Sequence, residues 1–310
     1  MSLIPLHSKK NQLVMKNTIF IIFLLLAGGA VSQAQNTILI TDDQGNSKLL
    51  GQASVKQLEK KPFREWFKPT YDDYTMDQDV IRQLSGRAAN FDSIALFMGT
   101  WCGDSRREVP RFYKVLNAIG FDRQKVNLVA VDRTFQNYKQ SPGREEVGLN
   151  IHRVPTFIFY KDSIEVGRVV ESPKISLEKD VLAISKGEGY TPHYEVVQAL
   201  ERLFEEYETE DVLAMKDSLA ITYKGKVKNK YELNTYGLVL FSSFQMTEAR
   251  VAYEINRLIF PAEALPHTSL ARFELVLGNK ETALSDLEKA RASVPGSTEI
   301  EELITSIKVE

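Results

Sequence analysis

The sequence predicts an α/β domain, with a central mixed sheet flanked by helices, followed by an all-α domain. Between residues 76 and 188, short apolar strand segments alternate with amphipathic helical segments, which is typical of an α/β fold. Residues 189–310 show no strong strand signal and carry a self-similarity with a 34-residue period. A chain of 310 residues has room for one large or two modest domains, and 43% hydrophobic residues are ordinary for a soluble globular protein.

The first 34 residues are predicted to be an upstream extension and a signal peptide. Lys16 provides a positive charge, residues 19–31 are apolar, and small residues at Ser32 and Ala34 precede a cleavage site. The apolar segment is shorter than the ~20 residues that a membrane-spanning helix needs, so cleavage is favoured over a membrane anchor. We therefore expect an exported protein, periplasmic or extracellular, without stable membrane insertion and in a compartment that permits disulfides.

Residues 35–75 are predicted to be an N-terminal extension that packs on the α/β core. Residues 37–40 are predicted to form an edge strand, and residues 42–46 have the composition of a turn. Burial against the core is favoured over a binding groove for an aromatic and proline cluster, which comprises Pro62, Trp66, Phe67, Pro69, Tyr71 and Tyr74.

The α/β domain is predicted to span residues 76–188. Its predicted elements are a helix from Asp77 to Leu84 with Asp77 as N-cap, a strand at 93–98, a helix to about Ile119, a strand at 125–131, an irregular or helical segment at 135–149, strands at 155–160 and 164–170 joined by a tight turn, and a helix from Ser176 to Ser185. The strand at 125–131 has little polar alternation, which indicates burial in a parallel sheet.

The helical domain, residues 189–310, contains positions that match at the 34-residue offset. The matched pairs are Gly237 and Ala271, Ala249 and Ala283, Asn256 and Ala290, and Pro261 and Pro295. Small residues let paired helices approach closely, and the prolines end the second helix of each pair. With a helix–helix turn at 277–280, the domain resembles about two tetratricopeptide units, capped by helices between Pro192 and Ala220. Such repeats imply a surface for a protein partner.

Several classes of function are disfavoured by the composition. The net charge of −2 gives no reason to expect nucleic acid as a partner, and the basic run at 224–230 is predicted to be a solvated connection. One cysteine excludes an intramolecular disulfide and a multi-cysteine metal site. No histidine and carboxylate spacing predicts a metal site, and no glycine-rich phosphate loop is present, so no cofactor is expected.

The single cysteine, Cys102, lies between an apolar strand and an amphipathic helix that begins near Gly103. At a helix N-terminus, unpaired N–H groups and the helix dipole stabilise a thiolate, and the positive charge of Arg106 acts in the same direction. The negative charge of Asp104 acts against them. The sequence does not decide this balance.

Four features in chain order resemble the thioredoxin superfamily. A Trp-Cys-Gly tripeptide at 101–103 follows a buried strand, and Pro110 comes eight residues after the cysteine. A Val-Pro-Thr tripeptide at 154–156 opens a later strand, and a turn, a strand and a helix follow it. The resemblance covers about residues 76–186 and implies a thioredoxin-like fold.

The resemblance also implies roles for individual residues. Cys102 is the nucleophile, Pro155 faces it as a cis proline, and the backbone of Val154 pairs with an extended substrate peptide. Trp101 shields one side of the sulfur. Ser105 stands where the family has its second cysteine, and it is expected to donate a hydrogen bond to the thiolate and to cap the helix.

Two departures from the family pattern restrict the expected chemistry. A serine hydroxyl at position 105 cannot displace a thiolate, and Leu96 stands where many thioredoxins carry a buried acid. We therefore expect monothiol exchange of the isomerase or glutaredoxin kind, in which Cys102 attacks a disulfide and an external thiol resolves the product. Its partners would be protein or small-molecule thiols and disulfides.

An alternative remains open, so the sequence leaves enzymatic activity undecided. In this alternative the thioredoxin fold and the helical repeats form a redox-inactive module that binds a protein or peptide. His152, three residues before Pro155, could approach Cys102 as a base, but a surface histidine is favoured.

Overall fold

The computed structural model describes three stretches of the chain, residues 37–41, 45–85 and 90–309. The predicted upstream extension and signal peptide, residues 1–34, lie outside them. The chain divides into two compact units, one ending at His193 and one beginning at Tyr194. The first holds a mixed sheet with flanking helices and the second is helical, which confirms the predicted fold class at this level.

The α/β unit contains six strands and five α-helices among its described residues. They are β1 (Ile38–Thr41), β2 (Ser47–Ala53), α1 (Val55–Leu58), α2 (Arg64–Asp73), α3 (Gln78–Ser85), β3 (Ser93–Met98), α4 (Gly103–Ala118), β4 (Val126–Ala130), β5 (Thr156–Lys161), β6 (Ile164–Val170) and α5 (Leu177–Lys186). A short 3-10 turn at Arg123–Lys125 precedes β4.

The strands lie in the order β1-β2-β4-β3-β5-β6. β3 and β4 are parallel and all other neighbours are antiparallel, so the predicted mixed sheet is confirmed. β3 is central, with Leu96 opposite Leu128 on one side and Phe157 on the other. The predicted edge strand is confirmed as β1, whereas β2 was not predicted.

The main core of this unit lies between the sheet and one face of α4. Val109, Phe112 and Leu116 of that helix are fully buried, and the ring centroids of Phe112 and Phe157 lie 4.3 Å apart. The N-terminal segment contributes to the same core, since Phe67 of α2 is buried within 6.3 Å of another α4 ring, Tyr113.

Two helices of the unit begin at residues that cap them. The Asp77 carboxylate accepts hydrogen bonds from the N–H groups of Asp79 and Val80, which confirms the predicted N-cap. The Ser176 hydroxyl accepts from the N–H of Lys179 at the start of α5. Residues 135–149, left open as irregular or helical, form a series of turns.

The helical unit contains eight helices among its described residues. They are α6 (Glu195–Glu206), α7 (Thr209–Ala214), α8 (Lys216–Tyr223), α9 (Tyr231–Ser242), α10 (Met246–Ile259), α11 (Ala264–Val276), α12 (Lys280–Ser293) and α13 (Thr298–Val309). Within the described stretches of the chain, no helix is both long and apolar enough to span a membrane.

The helix boundaries repeat at the 34-residue offset. α10 ends two residues before Pro261 and α12 ends two residues before Pro295, as predicted. The predicted turn at 277–280 is confirmed, with Gly278 at φ +80°. Phe244 occupies the matching position of the first turn at φ +62°, although its side chain is 81% exposed.

Close helix approach also follows the predicted pattern. Gly237 of α9 lies against the ring of Tyr253 in α10, where an added Cβ would stand 2.9 Å from ring atoms. Ala249 and Ala283 are fully buried. The basic run at 224–230 connects α8 and α9, and its first three lysines are exposed.

Candidate functional site

Cys102 lies at the N-terminus of α4, directly after the turn that follows β3. It is the N-cap residue, and its carbonyl accepts the hydrogen bond from the N–H of Arg106, at 3.0 Å. Its own N–H donates to the carbonyl of Gly99, at 2.9 Å, which fixes the turn. The side chain is partly exposed and packs against the apolar cluster that contains Val131 and Ile151. The thiol therefore meets the positive end of the helix dipole while remaining accessible.

The Cys102 thiol contacts the loop that precedes β5. Its Sγ donates a hydrogen bond to the carbonyl oxygen of Val154, at 3.3 Å. The peptide bond between Val154 and Pro155 is cis, and both residues are buried. Val154, whose backbone is expected to pair with a substrate peptide, thus contacts the Cys102 thiol next to the cis bond of Pro155.

The sequence predicts that Ser105 caps the helix, and the structure gives its hydroxyl another partner. Its side chain is fully buried in the first turn of α4, and its Oγ accepts a hydrogen bond from the N–H of Gly99, at 3.2 Å. The expected capping role is wrong, because Cys102 holds the N-cap position and the Ser105 hydroxyl is bonded to a residue before the helix. The hydroxyl stabilises the turn that carries Cys102.

Trp101 forms a fixed wall beside the thiol. Its Nε1 donates to the carbonyl of Val131, at 2.8 Å. The indole lies so close to Gly99 that an added Cβ there would stand 2.5 Å from it. Glycine at position 99 is therefore required for the indole to lie flat against the backbone of the turn.

The charges of the first α4 turns are largely paired with one another. Arg107 donates to the carboxylates of Asp104 and Glu108, at 2.6 Å each, so the Asp104 charge beside the thiol is compensated. The Nε of Arg106 donates to the carbonyl of Thr100, at 2.6 Å. Gly103, the first helical residue, is exposed, with no atom within 4 Å of the position a Cβ would take.

The structure adds a buried lysine that sequence reasoning missed. Lys139 lies in the loop after β4 with only 4% of its surface exposed, and its Nζ donates to the hydroxyl of Tyr138, at 2.9 Å. Burial, helped by the charge of Arg153, lowers the pKa of Lys139 to about 7, while the opposite charges of Cys102 and Glu171 work against that decrease. Lys139 is therefore within electrostatic range of the thiol.

His152 is buried, which corrects the expectation of a surface histidine. Burial, together with the charge of Arg153, lowers the pKa of His152 to about 3. Its Nδ1 lies 3.3 Å from the carbonyl oxygen of Asn150. A ring with so low a pKa is a weak proton acceptor, so a role as general base for Cys102 is disfavoured.

These features define an α/β protein with one accessible thiol at a helix N-terminus, opposed by a cis-proline loop. Among the residues that the structure describes, no three His, Cys, Asp or Glu side chains lie together as metal ligands would. Comparisons of the chain with protein-family models, with curated proteins and with solved structures found no match.

Proposed function

We propose that the chain is an exported thioredoxin-like protein that performs monothiol thiol–disulfide exchange at Cys102. The observation that carries the proposal is the 3.3 Å contact between the Cys102 thiol and the Val154 carbonyl, next to the cis bond of Pro155. The element order of the α/β unit and the position of Pro110 within α4 also support it. Export rests on the sequence of residues 1–34 alone.

The proposed reaction has two exchange steps. The Cys102 thiolate attacks one sulfur of a substrate disulfide, that S–S bond breaks, and the second sulfur leaves as a thiolate that takes a proton from water. An external thiol, or a second thiol of the substrate, then attacks the mixed disulfide and releases Cys102 as a thiolate. Reduction consumes the external thiol, whereas isomerisation has no net redox change.

The buried hydroxyl of Ser105 explains why resolution would be external. Cys102 is the only cysteine of the chain, and the residue one helical turn further on presents an alcohol bonded to a backbone N–H. No group of this site can therefore attack the mixed disulfide, so the captured partner stays bound until another thiol arrives.

The proposal is tested by capture of a disulfide. Purified protein without residues 1–34 is incubated with a small symmetrical disulfide, free thiols are blocked at low pH, and the intact mass is measured. We expect an adduct of half the disulfide's mass that a reducing thiol removes, and none on Cys102→Ala or Cys102→Ser. An accessible thiol that forms no adduct with any disulfide would overturn the proposal.

A second candidate is a redox-inactive protein-binding module that uses the helical unit. The repeating helix boundaries, which support tetratricopeptide-like repeats, favour it. The two candidates differ in one variant: Cys102→Ala abolishes capture in the first and leaves partner binding intact in the second.

A further inference from the structure

A cationic cavity opens beside Trp101, the residue that precedes Cys102 in the chain. Its volume is about 470 Å³, and its walls include the indole of Trp101 together with Lys48, Arg106 and Arg133. The proposed chemistry uses the sulfur and the cis-proline loop and leaves this cavity unassigned.

The charge of the cavity comes from two arginines. The ammonium of Lys48 is paired with the carboxylate of Asp132, at 2.5 Å, so these two charges compensate each other. Arg106 and Arg133 are exposed, and neither forms an ion pair with a carboxylate in the described part of the chain. Arg106 is held in place through its Nε, which leaves the outer edge of the guanidinium available to a ligand.

The cavity is placed to meet a group attached to the attacked sulfur. Trp101 adjoins Cys102 in the chain, and Arg106 lies one helical turn after it, with its N–H on the Cys102 carbonyl. A disulfide that approaches the thiol from this side brings its substituent over the indole toward the two guanidinium groups. Planar guanidinium groups bind carboxylates through paired hydrogen bonds.

We propose that this cavity binds a carboxylate of the disulfide substrate, so that Cys102 reacts preferentially with disulfides that carry a negative charge close to the attacked sulfur. This inference rests on the proposed exchange function and names its substrate class. The attraction acts in the encounter and therefore raises the rate of mixed-disulfide formation. The carboxylate can belong to an acidic peptide or to a small acidic thiol.

The test compares rates for disulfides of different charge. Second-order rate constants for adduct formation at Cys102 are measured with dithiobis(nitrobenzoate), which is anionic, with dithiodipyridine, which is neutral, and with cystamine, which is cationic. A single charge about 7 Å away in water changes such a rate about threefold. We therefore expect the anionic-to-neutral rate ratio to fall about threefold in Arg106→Gln or Arg133→Gln, and about tenfold in the double variant.

The controls separate charge from structure. Arg133→Lys keeps the charge and should retain most of the ratio, and Arg82→Gln removes an exposed arginine of α3 and should leave the ratio unchanged. The cationic-to-neutral ratio should rise in the double variant. High salt should weaken the wild-type preference for the anionic disulfide.

The outcomes distinguish the inference from the function on which it rests. If all three disulfides react at Cys102 and the double variant keeps the wild-type ratios, the cavity is not the carboxylate site and the exchange function stands. If none reacts with the wild type, the exchange function itself fails. Matched peptide disulfides with glutamate or glutamine beside the cysteine, measured against oxidised glutathione, then identify the source of the carboxylate.

Discussion

Replacing Lys139 by methionine should stabilise the protein, and the gain should shrink as the pH rises. The native side chain buries an amine that donates a hydrogen bond to the Tyr138 hydroxyl. Burial holds the pKa of Lys139 at about 7, compared with 10.5 for a solvated lysine. Methionine fills a similar volume without a charge. Residue 139 has a backbone φ of +58°, and because neither lysine nor methionine is glycine, the backbone strain is the same in the variant and the wild type.

The magnitude follows from the difference between the two pKa values. Between pH 7 and pH 10.5 the unfolded chain holds a proton that the native chain has lost, so native stability rises with pH across this range. The full cost of burying Lys139, about 5 kcal/mol at ~1.4 kcal/mol per pH unit, applies below pH 7. This cost of burying Lys139 falls by about 2 to 3 kcal/mol between pH 6 and pH 9.

The assay is urea unfolding of wild type and Lys139→Met at pH 6, 7, 8 and 9. The stability difference between the two proteins should be largest at pH 6 and smaller by about 2 to 3 kcal/mol at pH 9. Lys60→Met is the matched control, because Lys60 is exposed and its charge remains in water on folding. A stability difference between the two proteins that stays constant with pH would refute the argument that burial disfavours the charged form of Lys139.

Three further changes test other parts of the structure. The pKa of His152 is about 3 in the native protein and 6.5 in the unfolded chain, so native stability falls as the pH drops below about 6.5. His152→Leu should remove about 2.5 kcal/mol of the stability that the wild type loses between pH 7.5 and pH 4.5. An equal loss of stability in the variant and the wild type over this range would contradict the prediction. Gly237→Ala should cost about 1 to 3 kcal/mol in thermal unfolding, since its Cβ would press on the Tyr253 ring; a gain would show that the helices can separate. Phe244→Gly should raise stability by about 0.5 to 1 kcal/mol, because glycine tolerates φ +62° as Gly278 does at the matching turn; a lower Tm would show that the exposed ring has a native contact.

Apolar runs in the sequence predicted the central strands of the sheet. β3, β4 and β5 are short apolar runs, β6 follows β5 after a tight turn, and the bounds of all four strands agree with the prediction to within one residue. β2 was missed, because its apolar run is only two residues long, and pairing with β1 and with β4, more than seventy residues later, makes the segment a strand. Such long-range pairing leaves little local signal.

The site was predicted as far as its motifs extend. The juxtaposition of Cys102 with Val154 and Pro155 follows from the resemblance, and the structure brings them together. The expected capping role of Ser105 was wrong, because α4 begins at Gly103 and Cys102 is its N-cap residue. The burial of Lys139 and His152 could not be predicted from the sequence, because both residues lie in a segment without hydrophobic periodicity. Packing of that segment in the folded protein buries them.

Both tryptophans of the chain lie near Arg106. Trp101 and Arg106 line the same cavity, and the Arg106 guanidinium lies 5.9 Å from the centre of the Trp66 ring. Both indoles of this protein therefore lie near the same cation, and that of Trp101 also packs in the apolar cluster that contains Cys102. Emission should report, without an added label, when the thiol is capped and when the guanidinium moves to a ligand. The protein carries its own optical probe for the event that its cysteine is proposed to perform.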